Sequence, residues 1–154
     1  FITILFFILM FFGASAGSTS GGIKLVRHVI LLKNSYIELK KQLHQSGVFP
    51  LRFNNSKVPQ SVVTNILAFM MLYVVIFCLG SIIMAMLGVD FMTALGSVAA
   101  TLGNVGPGIG EVGPAGNFSL IPTAGKYFLA LLMLIGRLEL LTFLLILTPA
   151  FWKI

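Results

Sequence analysis

Residues 1–27 read FITILFFILMFFGASAGSTSGGIKLVR, and the reading of the middle of this stretch decides the fold. Phe1 to Phe12 is almost wholly apolar. Gly13-Ala14-Ser15-Ala16-Gly17-Ser18-Thr19-Ser20-Gly21-Gly22 follows, and Ile23-Lys24-Leu25-Val26-Arg27 resumes the aliphatic pattern. In water such a glycine–serine run is a flexible linker. Here both flanks are hydrophobic enough for lipid, so the choice is between a cleavage site, a catalytic turn and a break in a membrane helix. As a helix Phe1–Phe12 covers about 18 Å, well short of a ~30 Å hydrocarbon core.

Composition sets the solvent. The 154 residues are 58% hydrophobic and only 9% charged, with a mean hydropathy of +1.04, whereas a soluble domain is about a quarter charged. Lipid is therefore the main solvent, and the length allows roughly three or four crossings of about 20 residues. The single cysteine, Cys78, lies in an apolar run and reads as a small buried hydrophobe; alone it forms neither an intrachain disulfide nor a cysteine metal cluster. The net charge of +6 does not point to nucleic acid, because of where the charges lie. Lys24, Arg27, Lys33, Lys40, Lys41, Arg52 and Lys57 all fall between the first and second apolar blocks, as the positive-inside rule expects of a cytoplasmic loop. The chain lacks an initiator Met and starts inside an apolar pattern, so it reads as part of a longer protein.

Beyond the break, Ile23 to about Leu43 predicts a helix that turns amphipathic toward Glu38, Lys40, Lys41 and Gln42. Phe49 to Pro59 reads as a basic loop containing Asn54-Asn55, with Pro59 suited to start the next helix. Ser61 to about Leu87, free of formal charge, is the clearest transmembrane helix. Asp90 is a good N-cap for a short helix from Phe91 to about Leu102, again about half a bilayer long. It runs into Gly103-Asn104-Val105-Gly106-Pro107-Gly108-Ile109-Gly110, which cannot continue a helix. The last span is about Ala124 to Leu147, followed by Trp152 and Lys153 as interface anchors. With the basic loop cytoplasmic, the pattern is span, re-entrant half-helix with glycine turn, span.

Three motifs imitate other chemistry. Ala14-Ser15-Ala16 resembles a signal-peptidase site, but no basic segment precedes the apolar run and Lys24 and Arg27 follow it, the wrong charge order for export. Gly13-Ala14-Ser15-Ala16-Gly17 matches the G-x-S-x-G nucleophile elbow, which needs a preceding strand and an activating His. His28 is thirteen residues beyond Ser15 and His44 belongs to the cytoplasmic loop; an intramembrane serine protease is the enzyme alternative, and a non-conducting membrane scaffold the non-enzymatic one. Gly108-Ile109-Gly110-Glu111-Val112-Gly113 is a literal G-x-G-x-x-G without the strand–turn–helix setting of a dinucleotide site.

Exposed backbone at membrane depth is tolerated only where protein buries it or water reaches it. The second glycine turn fits an ion pathway. The negative end of the short helix points toward it, and the carbonyls of Asn104, Val105, Gly106, Pro107 and Gly108 are placed to replace part of a cation's hydration shell. An ordinary loop between two helices is the alternative. Arg137, in Gly136-Arg137-Leu138-Glu139, lies near the middle of the last expected span, where an ionisable residue is a functional candidate by default. Glu139 is about 200° around the helix, so the partners expected for Arg137 are the carbonyls and hydroxyls of the opening loop, Ser15, Ser18, Thr19 and Ser20. A structural interhelical pair is the alternative.

The segment Gly13–Lys24, the turn Gly103–Gly108, Gly136-Arg137-Leu138-Glu139 and the terminal Pro149-Ala150-Phe151-Trp152 together resemble the C-terminal part of the TrkH-type potassium uptake proteins of the Trk/Ktr/HKT superfamily. The resemblance covers essentially the whole chain, and the Gly/Pro-rich turn from Gly110 to Gly116 favours the TrkH over the Ktr branch. It implies an all-α membrane protein of four span–pore-loop–span repeats around a pseudo-fourfold pore. Residues 1–43 are then the broken second span of the third repeat, 44–60 a cytoplasmic linker, and 61–154 the fourth repeat. The resemblance further implies that Gly13–Gly22 is an intramembrane gate loop, that Arg137 is its basic partner beneath the filter, and that K⁺ sits at Val105 and Gly106. It implies potassium uptake without enzymatic chemistry or a bound cofactor. Its implied setting is a multi-pass protein of the bacterial inner membrane, with residues 28–60 and the C-terminus cytoplasmic. The expected partners are the membrane, the remaining repeats of the same chain, a second copy in a homodimer and a TrkA-like cytosolic nucleotide-binding regulatory subunit, with no nucleic acid.

Overall fold

The computed structural model describes residues 2–13, 21–44 and 49–138. In chain order the elements are α1 (Ile2–Met10), α2 (Leu25–Leu43), β1 (Arg52–Phe53), β2 (Ser56–Lys57), α3 (Gln60–Met86), α4 (Phe91–Leu102) and α5 (Thr123–Arg137), with two short 3-10 turns at Gly110–Val112 and Phe118–Leu120.

Helix α3 starts after Pro59, whose φ of −65° is already helical in the sense proline imposes. At 27 residues it is about 40 Å long, enough to cross a bilayer. It is the one described helix long and apolar enough to do so. Its buried residues Val63, Ile66, Phe69, Tyr73, Gly80 and Met84 fall at three-, four- and seven-residue spacings and form one face. Met71, Leu79, Ile82 and Met86 on the other faces are exposed, an arrangement suited to lipid or to further protein. Two hydroxyls on this helix are satisfied locally: Thr64 Oγ1 donates to Gln60 O at 3.1 Å and Ser81 Oγ to Phe77 O at 2.8 Å.

Helix α4 is the centre of the packing. Asp90 caps it, accepting from the Met92 N–H at 3.1 Å. Nine of its twelve residues are buried, most of them small: Ala94, Gly96, Ser97, Ala99 and Ala100 among them. Small residues let neighbouring backbones approach, which is how helices associate without a hydrophobic driving force between them. The buried hydroxyls find carbonyls inside the helix, Ser97 Oγ to Ala94 O at 3.0 Å and Thr101 Oγ1 to Ser97 O at 2.7 Å. Helices α3 and α5 close on α4 at Gly80, where an added Cβ would lie 3.2 Å from Val98 and 3.3 Å from Leu132. The main core joins Phe69, Tyr73 and Met84 of α3 with Val98 and Leu102 of α4 and Leu129, Leu132 and Ile135 of α5. Phe11, just beyond α1, packs edge-on against Phe77 of α3 at 5.3 Å between ring centroids.

The expected basic loop contains a feature that departs from an all-α reading. Arg52 pairs with Lys57 and Phe53 with Ser56 in an antiparallel hairpin. Its two-residue turn is Asn54-Asn55, with φ of 50° and 65°, the type I′ geometry that matches strand twist. A second cluster of Ile30, Leu51, Val63 and Ile66 holds this hairpin against α2 and α3. Lys33 lies over the Phe53 ring at 5.5 Å and Lys40 over Phe49 at 4.8 Å, so basic side chains of α2 cover the aromatics at this end. Helix α2 itself begins two residues later than expected, because Lys24 is extended with ψ of 137°. Of the last expected span, the helix is described as far as Arg137; residues 139–154 lie outside the described residues.

Candidate functional site: a helix end, a glycine turn and a loop root

The C-terminus of α4 turns sharply. The Asn104 N–H donates to Thr101 O at 3.1 Å and the Val105 N–H to Ala100 O at 2.9 Å, with Asn104 left-handed at φ 53°. This is a Schellman closure with asparagine at the position glycine usually holds. It uses carbonyls near the helix end that would otherwise face the turn, and Leu102 and Gly103 at the negative pole of the helix are themselves buried.

The five residues expected to line an ion path then separate. Asn104 is half-buried, Val105, Gly106 and Pro107 are exposed, and Gly108 is buried. Gly106 has φ of 107°, and an added Cβ would meet nothing within 4 Å; its glycine is required by conformation alone. From Gly108 the chain runs back along α4. An added Cβ at Gly96 would come within 2.5 Å of Ile109 N, and one at Gly108 within 2.9 Å of Gly96 O. Gly108 N–H donates to Val112 O at 2.8 Å, and Glu111 N–H to Thr93 Oγ1 at 3.2 Å. Gly110, at φ 76°, crosses Thr93 so closely that an added Cβ would lie 2.6 Å from its hydroxyl. A helix and an antiparallel return limb thus present an exposed tip, Val105–Pro107. The tip borders a cavity of about 600 Å³ shared with Phe6, Leu9 and Met10 on the α1 side.

The opening glycine run meets this tip's base. Gly13 N–H donates to Ile23 O at 2.8 Å, so the chain entering and leaving residues 14–20 is pinched together. An added Cβ at Gly13 would sit 2.7 Å from that same oxygen. Gly22, at φ 78°, rests on Gly103, and Gly21 rests on the Asn104 side chain. Helix α5 arrives from the other side: Asn104 Nδ2 donates to Met133 O at 3.2 Å, and Gly136 packs against Leu102 O and Asn104. Loop root, turn base and the end of α5 therefore converge on one node.

Arg137 directly follows Gly136, and its side chain is exposed. The loop residues expected to meet it, Ala14, Ser15, Ala16, Gly17, Ser18, Thr19 and Ser20, lie outside the described residues, as does Glu139. His28, the base of the protease alternative, stacks on Phe12 at 4.8 Å, and its buried Nδ1 has no hydrogen-bond partner among the described residues. The G-x-G-x-x-G of 108–113 forms the return limb and a 3-10 turn, not a strand–turn–helix. Among the described residues no cluster of His, Cys, Asp and Glu is suited to a metal. Sequence reasoning missed Thr93 and Gly96, which hold the return limb, and the side chain of Asn104. The signals were available: a glycine inside an otherwise good helix, and an asparagine where a helix must stop.

Comparison with known proteins shows the family and the overall fold. The family model for TrkH, described as cation transport protein, matches residues 1–154. Relatives include the Trk system potassium uptake protein TrkI of Halomonas elongata, 42% identical over 97% of this chain, and TrkH of Escherichia coli K12, 37% identical over 99%. The chain spans 31% of the length of each. The crystal structure of the potassium transporter TrkH from Vibrio parahaemolyticus superposes with a TM-score of 0.89 at 38% identity, covering 99% of this chain and 32% of that one. That family is one of transporters, not enzymes. This chain belongs to the TrkH family of cation transport proteins.

Proposed function

We propose that the chain contributes one pore loop and the gate of a potassium pathway across the bacterial inner membrane. The observation that carries this is the node: the base of an exposed glycine turn, Gly103-Asn104, is in contact with the root of the loop, Gly21-Gly22. A loop rooted there is suited to obstruct ions leaving the turn. In this reading α4 is the pore helix and 103–108 one quarter of a filter. The tip residues Val105, Gly106 and Pro107, with Asn104 and Gly108 at its two ends, provide carbonyls for K⁺, centred on Val105 and Gly106.

Gly13–Gly22 is the gate loop. Its residue types supply backbone carbonyls and hydroxyls of the kind Arg137 can pair with, since a guanidinium is always charged and offers five donors. A fixed positive charge beneath the filter raises the barrier for a cation, and a loop drawn onto it narrows the path. The remaining repeats would come from the rest of a longer chain, and α2 with the hairpin would form the cytoplasmic face on which a nucleotide-binding regulatory subunit docks. The transporter would work as a homodimer.

The test is K⁺ uptake by the complete transporter in cells lacking their own K⁺ systems. Arg137→Ala is expected to raise cation flux about tenfold, the effect of removing roughly 1.4 kcal/mol of barrier. Flux and regulation both unchanged would remove Arg137 from the gate. Ser15→Ala is expected to leave uptake intact, whereas a serine hydrolase would lose all activity.

A further inference from the structure

The node contains one polar side chain whose role no ion contact explains. A left-handed residue closing a helix is ordinarily glycine, yet position 104 carries an amide. That amide donates through Nδ2 to Met133 O at 3.2 Å, one turn before Arg137 on α5. It also fills the space over Gly21: a Cβ added there would lie 2.6 Å from Asn104 Nδ2, 2.9 Å from its Cβ and 3.0 Å from its Cγ. These are the three nearest heavy atoms met at Gly21, and Gly21 is not among the glycines with positive φ. So a side chain at Gly21 would collide with that of Asn104.

We propose that Asn104 is a positioning residue whose side chain ties the base of the filter to α5 and to the loop root, so that a displacement at Gly21 changes ion discrimination at Val105 and Gly106. The inference rests on the transport reading above. Physically, the amide is held on two sides. Backbone hydrogen bonds within α4 fix its Cα, while Met133 fixes its head. A displacement at Gly21 pushes on the side chain and must be absorbed either by breaking the Met133 bond or by rotating the Asn104 backbone. Rotation of that backbone moves the carbonyls at the start of the tip. Packed contacts of this kind have discrete arrangements rather than a continuous range.

The experiment is a size swap in the complete transporter, read by the K⁺ over Na⁺ flux ratio. Gly21→Ala, a change outside the filter, is expected to lower the ratio by about fivefold or more, the lower end of typical coupling between sites. Asn104→Gly keeps the left-handed backbone but removes the tie, and is expected to lower the ratio comparably. Adding Gly21→Ala to Asn104→Gly is expected to cause no further fall, because the new methyl enters vacated space. Gly136→Ala is the control: it also meets Leu102 O, so Asn104→Gly should not rescue it.

Equal loss from Gly21→Ala in both backgrounds overturns the proposal, as does a wild-type ratio in Asn104→Gly. A fall in total flux with the ratio intact also overturns it, leaving Asn104 as packing alone. The melting temperature of the purified complete chain reads the contact without transport, and should fall for Gly21→Ala only where Asn104 is present. A wild-type chain that carries no K⁺ sinks the transport reading and this proposal together; a failed melting swap sinks the contact alone.

Discussion

Gly96, within α4, and Gly106, in the turn that follows it, lie ten residues apart and need their lack of a side chain for opposite reasons. At Gly96 the helical backbone is ordinary, but the return limb passes so close that an added Cβ would lie 2.5 Å from Ile109 N and 2.6 Å from its O. At Gly106 an added Cβ would meet nothing, yet φ is 107°. One glycine makes room for a neighbour; the other permits a conformation. The limb is therefore locked by contact, whereas the tip is held by its own dihedrals and stays open on one side. This division suits a re-entrant loop, in which backbone at membrane depth must be buried on one face and accessible on the other.

Three substitutions test that contrast, and the largest effect is expected at the limb. Gly96→Ala forces a methyl into main-chain atoms that have no rotamer to change, and should cost about 3 kcal/mol, the upper end for overpacking. The complete protein should then show a clearly lowered melting temperature and little K⁺ uptake. A melting temperature within error of wild type would mean that the limb is not locked on α4.

Gly106→Ser tests the tip. With open space around it, the substitution pays only backbone strain, about 1–2 kcal/mol. Its main effect should be a reduced K⁺ over Na⁺ flux ratio with folded protein still recovered. Intact discrimination would remove Gly106 from the filter; a stability loss as large as that of Gly96→Ala would erase the contrast between the two glycines. The smallest effect is expected at Asp90→Ala, which removes the cap on Met92 at the far end of α4. A lost cap costs about 1 kcal/mol and should lower melting slightly without altering the flux ratio. A change in the ratio would show that the position of the whole helix, not only its C-terminal end, sets discrimination.

The long elements were legible because lipid-facing helices announce themselves by length and absence of charge. An uncharged run from Ser61 and a capped short helix from Phe91 correspond to α3 and α4 as the structure describes them. The glycine turn was legible as a place where a helix must stop. Less so was the hairpin, since Asn54-Asn55 lies in a basic segment whose charges drew the reading toward a plain loop. Its turn geometry carried the information all along: asparagine tolerates positive φ, and two in succession suit a type I′ turn. Within the site, Arg137 stood out because charge is rare in an apolar run expected to span a membrane. Thr93, Gly96 and the amide of Asn104 did not, because their roles depend on which distant backbone passes over them.

By itself, then, the sequence determined the solvent, the positions of the two helix breaks and the residue types able to sustain them, since these follow from hydropathy, helix length and the dihedral freedom of glycine and asparagine. The tertiary structure decided that the two breaks belong to one place. The loop root at Gly21-Gly22 and the turn base at Gly103-Asn104 are about eighty residues apart in the chain, and their contact depends on how α1, α4 and α5 pack. Close packing of backbone on backbone is a property of pairs of segments, and no local pattern encodes the second member of the pair.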